Sequence, residues 1–186
     1  MRYTTSRSPK LGRKNNMHRP EQSEYDPYYE KYISLVIDNE VVPVLASQMT
    51  ELQDIFATVP EEKGTYAYAD GKWTIKEVLS HLIDAERIFA YRVFRIARGD
   101  KTAIEGFEQD GYIENSHANQ RTFGELLDEM NLLRRANVLF FKNLGDEDWI
   151  RTGVANNAEI SVRALAFIMA GHIRHHVTIL RSRYLS

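Results

Sequence analysis

Ala164-Leu-Ala-Phe-Ile-Met-Ala-Gly-His-Ile-Arg-His-His-Val-Thr-Ile-Leu180 is a nearly unbroken apolar run that carries three histidines. Wound as a helix, Leu165, Met169, His172, His176 and Ile179 recur in steps of four, three, four and three, which keeps them on one face. Histidine therefore stands at two positions where a core helix calls for leucine. Residues four apart on a helix have Cβ atoms about 5–6 Å apart, close enough for two imidazoles to reach one metal ion. His175 leaves a choice open, because it also follows His172 at helical spacing. It points about 100° away from His176, toward the edge of the stripe, so the phase of the helix favours His172 with His176.

The same rhythm finds the partners of this helix. Asp26-Pro27 is an N-cap followed by proline at the first helical position, opening a short leading helix that Pro43 prevents from continuing. Leu45, Met49, Leu52, Phe56 and Val59 then mark a first bundle helix over about 43–59. Pro60, Gly64 and Gly71 fall in a loop. Trp73-Thr-Ile-Lys-Glu-Val78 combines a Thr74/Glu77 capping box with a hydrophobic staple from Trp73 to Val78, and the helix it starts runs to Arg98, before Gly99. Thr122-Phe-Gly-Glu125 is a second capping box, for a helix to about Asn143. Ser161 caps the histidine helix, Ile160 staples to Leu165, and the helix extends to about Arg181. The asparagine-rich stretch before Ser161 reads as a loop, and no alternating segment of strand length stands out. These patterns predict an all-α fold: a four-helix bundle, a short leading N-terminal helix, and a long connector over 99–121 between helices 2 and 3 that acts as a crossover. Loops of that length are often functional.

Composition narrows the function. The chain has 186 residues and no cysteine, which excludes disulfides, zinc-thiolate sites and a cysteine nucleophile and fits a reducing, cytoplasmic setting. Any thiol chemistry would need a thiol that arrives with the substrate. No apolar run approaches the 18 or more residues of a membrane span. Charge is split: residues 1–20 carry six cations and no acid, which leaves −8 on the remainder against a net −2. We expect 1–20 to be a basic, disordered leader, with Met17 as a candidate natural start, and 21–186 to be one bundle domain. A domain so acidic is poorly suited to neutralising phosphates, so no nucleic-acid partner is expected.

Among the other histidines, His18 falls in the leader and His117 in the long connector, where both read as solvated. His81 is different. It lies at the margin of the buried face of helix 2, beside Val78 and Ala85, and with the pair on the last helix it raises the case for a metal site. His172-x-x-x-His176 has Ile173 where a zincin motif has glutamate, so that class is excluded.

Gly71-Lys-Trp-Thr-Ile-Lys-Glu-Val-Leu-Ser-His81-Leu-Ile-Asp-Ala-Glu-Arg87, Arg95-Ile-Ala-Arg-Gly-Asp100, Gly106-Phe-Glu-Gln-Asp-Gly-Tyr112 and the terminal His172-x-x-x-His176 together resemble the DinB superfamily. The resemblance covers about residues 25–186, and its nearest branch is that of thiol transferases and metal-dependent hydrolases. It implies a four-helix bundle with a long crossover, and a three-histidine divalent metal site, most readily nickel or zinc, matched by His81, His172 and His176. It also implies a homodimer and a small-molecule substrate, with a low-molecular-weight thiol as co-substrate in some branches.

Three protein ligands leave a coordination position open, the pattern of a catalytic site. Such a metal can activate water or deprotonate an incoming thiol. Asp84, one turn after His81, could orient its free ring nitrogen or pair with Arg87 on the surface. Phe107, Asp110 and Tyr112 match the loop motif and could line the pocket mouth, or simply pack the loop, with Asp110 capping a turn. His175 remains a candidate base or alternative ligand. Arg87, Arg92, Arg95 and Arg98 read as a solvated face or dimer rim, or as contacts to an anionic substrate. The leading expectation is a metal-dependent hydrolase or thiol S-transferase; the alternative is a non-catalytic metal- or ligand-binding stress-response bundle.

Overall fold

The computed structural model describes residues 18–186, so all but the last three residues of the expected leader, Met17 included, lie outside the described residues. Arg19 donates to the Val36 carbonyl (2.7 Å) and Pro20 is buried. Two short 3₁₀ turns follow, the second capped by Asp26 with Pro27 at its start, and lead into α1 (Glu30–Ile33). Next come α2 (Val41–Phe56) and α3 (Ile75–Ala97). The connector contains α4 (Gln109–Glu114), and beyond it lie α5 (Phe123–Lys142) and α6 (Asp146–Trp149). The chain ends with a hairpin of β1 (Thr152–Ala155) and β2 (Ala158–Ser161), then α7 (Val162–Ile179) and a π-type turn over Leu180–Tyr184.

The local signals explain these boundaries. Both capping boxes form in full, Thr74 with Glu77 and Thr122 with Glu125, and each satisfies two amide donors that a helix start leaves free. Ser161 Oγ accepts from the Ala164 amide. Gly99 takes φ +79°, the left-handed conformation that ends α3. Pro43 sits inside the first turn of α2, where its missing N–H costs nothing.

The hairpin, like the short α4 and α6, is not revealed by sequence periodicity. Its two strands are only four residues long, and the turn is Asn156-Asn157 with φ of +52° and +63°. Two consecutive left-handed residues make the type I′ geometry that suits a two-residue hairpin. Asparagine tolerates it, but also occurs in ordinary loops. Ile104 pairs in parallel with Ala155, which ties the crossover to this hairpin.

In the bundle α3 packs on α5 and α7, and α2 packs on the same two helices. Consecutive helices α2 and α3 therefore lie across a diagonal, which is why the chain needs its long connections. The core divides into two apolar clusters, one around Leu45, Val93, Phe141, Trp149 and Phe167, the other around Leu52, Leu79, Leu126, Ile173 and Val177. Each bundle helix passes from one cluster to the other near a buried polar residue: Gln48, His81 and Glu86, Arg134, and His172. A polar layer thus crosses the middle of the bundle.

Half of that layer is self-contained. Arg134 donates from Nε and Nη2 to the two carboxylate oxygens of Glu86 (2.9 and 2.8 Å) and from Nη1 to Gln48 Oε1 (3.0 Å). Gln48 in turn donates to the Ala170 carbonyl of α7 (2.7 Å). At Gly171 a Cβ would lie 2.0 Å from the Tyr32 carbonyl, so α1 rests directly on the backbone of α7 just before His172.

Candidate metal centre

The other half of the polar layer holds the histidines. His81 comes from the second turn of α3, and His172 and His176 from successive turns of α7. One ligand atom from each lies within 4.8 Å of the other two. His81 Nε2 and His172 Nε2 are 3.1 Å apart. That is the spacing taken by two nitrogens on one ion at bonds of about 2.0–2.1 Å, and also that of an N–H···N bond between neutral rings. The three ring centroids are 4.6–4.9 Å apart. Among the described residues this is the one group of three such side chains placed to hold an ion.

Burial sets the protonation state. It lowers His81 to about 4 and His176 to about 3, with the neighbouring imidazoles adding repulsion, and it takes His172 well below its ordinary value. All three are therefore neutral near pH 7, the form that binds a metal. His176 Nδ1 is buried without a hydrogen-bond partner, a cost that folded proteins rarely leave uncompensated. Three neutral, converging imidazoles with an orphaned nitrogen among them are a fit donor set for a divalent ion.

Neighbouring aromatics fix the rings. Trp73 lies 4.7 Å from His81 between centroids, and its carbonyl accepts from the Tyr184 hydroxyl (2.6 Å), so the C-terminal turn holds Trp73 in place. Tyr32 meets His172 edge-on at 5.3 Å and Phe89 does so at 5.8 Å. A cavity of about 280 Å³ opens on His81 and His172 and is walled by Tyr29, Tyr32, Phe89 and Phe107.

The remaining sequence candidates separate. His175 is half-buried, 5.4 Å from Tyr32 and 5.1 Å from His176 between ring centroids, and outside the converging set. Phe107 lines the histidine cavity. Asp84 and Tyr112 line a different one, with Arg121 and Glu129, and burial raises the Asp84 carboxyl. Arg87 pairs with Glu129 (2.6 Å). Asp110 is exposed in the first turn of α4, where Glu108 is the cap, accepting from the amides of Asp110 and Gly111. His117 is exposed at φ +53°. Arg92 departs from the solvated-face reading: it is 3% exposed and lines the histidine cavity. Tyr28, Tyr29 and Tyr32 line it too. Their signal was the aromatic cluster on the leading helix, which gives no hint of what it faces.

A family model described as the DinB superfamily matches residues 45–180. The chain belongs to the DinB superfamily. Its fold is similar to that of YfiT from Bacillus subtilis, a structure described as a probable metal-dependent hydrolase with an unusual four-helix bundle topology. The TM-score is 0.67 at 17% identity, over 90% of this chain and 97% of that one. No curated relative matches the chain in sequence.

Proposed function

We propose that this DinB-superfamily protein is a metal-dependent hydrolase of a small molecule, with His81, His172 and His176 holding a divalent ion, nickel or zinc. The observation that carries the reading is the convergence of three neutral imidazoles, two of which, His81 and His172, line an open cavity. The description of YfiT as a probable metal-dependent hydrolase favours hydrolysis over thiol transfer. Imidazole nitrogen suits both metals. An ion with three protein ligands supplies Lewis-acid chemistry at its open position, polarising a carbonyl and activating water. The chain does the rest. Trp73 and Tyr32 keep two of the rings in their rotamers, burial keeps all three unprotonated, and Phe89, Tyr29 and Phe107 give the substrate an apolar wall.

Metal content of untagged protein, measured by plasma mass spectrometry, tests the centre. Wild type should carry about one equivalent, His172→Ala should lose it, and His175→Ala should keep it. Equal loss in both variants would show that the ligand pair on α7 is misassigned, and metal-free wild type would remove the centre. Turnover on a panel of small amides and esters, abolished by chelation and restored by nickel or zinc, tests hydrolysis. Activity that survives chelation would refute it.

A further inference from the structure

Arg92 is buried in the wall of the histidine cavity, and no carboxylate among the described residues pairs with it. Other buried or half-buried arginines among the described residues reach carboxylates: Arg134 pairs with Glu86, Arg163 with Glu24, and Arg95 with Asp100. Arg92 does not. Nη2 donates to the Glu105 carbonyl (3.1 Å), the Tyr29 side chain is a further hydrogen-bond partner, the guanidinium lies 5.9 Å from the Phe89 ring centroid, and Nε is buried without a partner. Burial pushes the guanidinium below its ordinary value, yet arginine stays charged in proteins. Glu108, the acid on the same cavity wall, has both carboxylate oxygens engaged by the amides of Asp110 and Gly111. An uncompensated buried guanidinium is costly, and its planar donors match an oxyanion.

Its position along α3 says which part of a ligand it would meet. His81, Ala85, Phe89 and Arg92 follow in steps of four, four and three, so they form one stripe on α3, and all four line the cavity. Eleven residues separate the two ends, about 16 Å along the axis, and side chains on a helix lean toward its N-terminus, which points Arg92 back toward His81. Ala85 leaves room between them and Phe89 supplies an aromatic wall.

We infer that Arg92 is the anchor for an oxyanion, a carboxylate or phosphate, on the substrate, which lies along this stripe with its anionic end at Arg92 and its reacting bond at the histidines. The inference rests on the cavity being the substrate site proposed above. The ligand class it selects is a small molecule with an anion at one end and an apolar or aromatic body. Neutral amides and esters of the same shape are rejected because they leave the buried guanidinium unpaired.

Ligand-observed NMR with benzoate, phenyl phosphate and neutral benzamide tests this on the full chain, both chelator-treated and metal-loaded. In metal-free wild type, benzoate or phenyl phosphate should bind at least about tenfold more tightly than benzamide, and the stronger of the two identifies the oxyanion. Arg92→Met should abolish the difference while retaining the wild-type metal content. Benzamide binding as well as both anions in wild type would overturn the inference, and this comparison requires no variant to fold. So would an anion preference that survives in Arg92→Met, or one that disappears on chelation and so belongs to the metal. The two readings fail separately. Anion binding through Arg92 in a protein that never carries metal would refute the metal centre alone, whereas a loaded centre with charge-blind binding would refute the anchor alone.

Discussion

Arg134→Met tests the polar layer from its structural side. Glu86 and Arg134 are 3% and 1% exposed, so neither charge is hydrated. They compensate each other through a two-pronged pair, with Asn137 donating to Glu86 Oε1 (2.7 Å) and Arg134 also donating to the Leu45 carbonyl (3.2 Å). Removing the guanidinium strands a buried carboxylate with a single amide donor. Breaking a buried pair in this way costs about 3–5 kcal/mol, a large share of the roughly 5–15 kcal/mol that holds a domain folded. For a chain of this length it should lower Tm by roughly 6–20 °C. The size of the loss does not measure what the pair contributes, because burying both charges was itself costly. Glu86→Leu combined with Arg134→Met should therefore recover most of it, being neutral or better than wild type apart from the donors left on Gln48 and Asn137. Urea unfolding followed by circular dichroism at 222 nm gives all four corners of the cycle. A single variant within about 1 kcal/mol of wild type would refute the claim that the carboxylate is stranded, since an exposed pair costs no more than that. A double variant no better than Arg134→Met would place the damage in packing instead of charge.

Two further outcomes follow from packing and burial. Gly171→Ala puts a Cβ 2.0 Å from the Tyr32 carbonyl, forcing α1 off α7 at a cost of about 1–3 kcal/mol; thermal unfolding measures it, and an unchanged Tm would mean that α1 does not rest there. Burial and the Glu30 hydrogen bond raise Tyr25 to about 12, and burial with the nearby Tyr68 and Glu77 raises Tyr184 to about 12. The unfolded chain loses these protons near pH 10 while the folded chain keeps them, so stability should be full below pH 10 and fall between about 10 and 12. Tyr184→Phe should flatten that fall, and an unaltered alkaline slope would show that the hydroxyl is hydrated.

What the sequence made legible was what neighbouring residues decide among themselves. Thr74 with Glu77, Thr122 with Glu125, and Ser161 fix three helix starts through bonds spanning three residues, and each helix begins where those signals lie. The phase of α7 separates His172 and His176 from His175 because it depends only on the turn of one helix. Contacts between distant segments left no such trace. Glu86 and Arg134 are 48 positions apart, and each alone reads as a surface charge. Arg92 was obscured by its neighbours: with Arg87, Arg95 and Arg98 it forms a recurring cationic series that looks solvated. Its phase, eleven residues after His81 and three after Phe89, already placed it on the buried stripe. The hairpin escaped because four-residue strands are too short for alternation to register.

The two halves of the polar layer answer the question of what the buried polar groups are for. A fold can hide charged and hydrogen-bonding side chains for structural ends if it satisfies them, and on the α2–α5 side it does: Glu86, Arg134, Gln48 and Asn137 have their partners within the bundle. On the histidine side it does not. The two buried side-chain atoms without a partner among the described residues are His176 Nδ1 and Arg92 Nε. One belongs to the converging imidazoles, the other to the stripe of α3 that leads to them. Random imperfections of packing would scatter such atoms through both clusters and both halves. Both lie on the histidine side, opposite a half-layer with none, where the ion and the anion we propose would supply the missing partners.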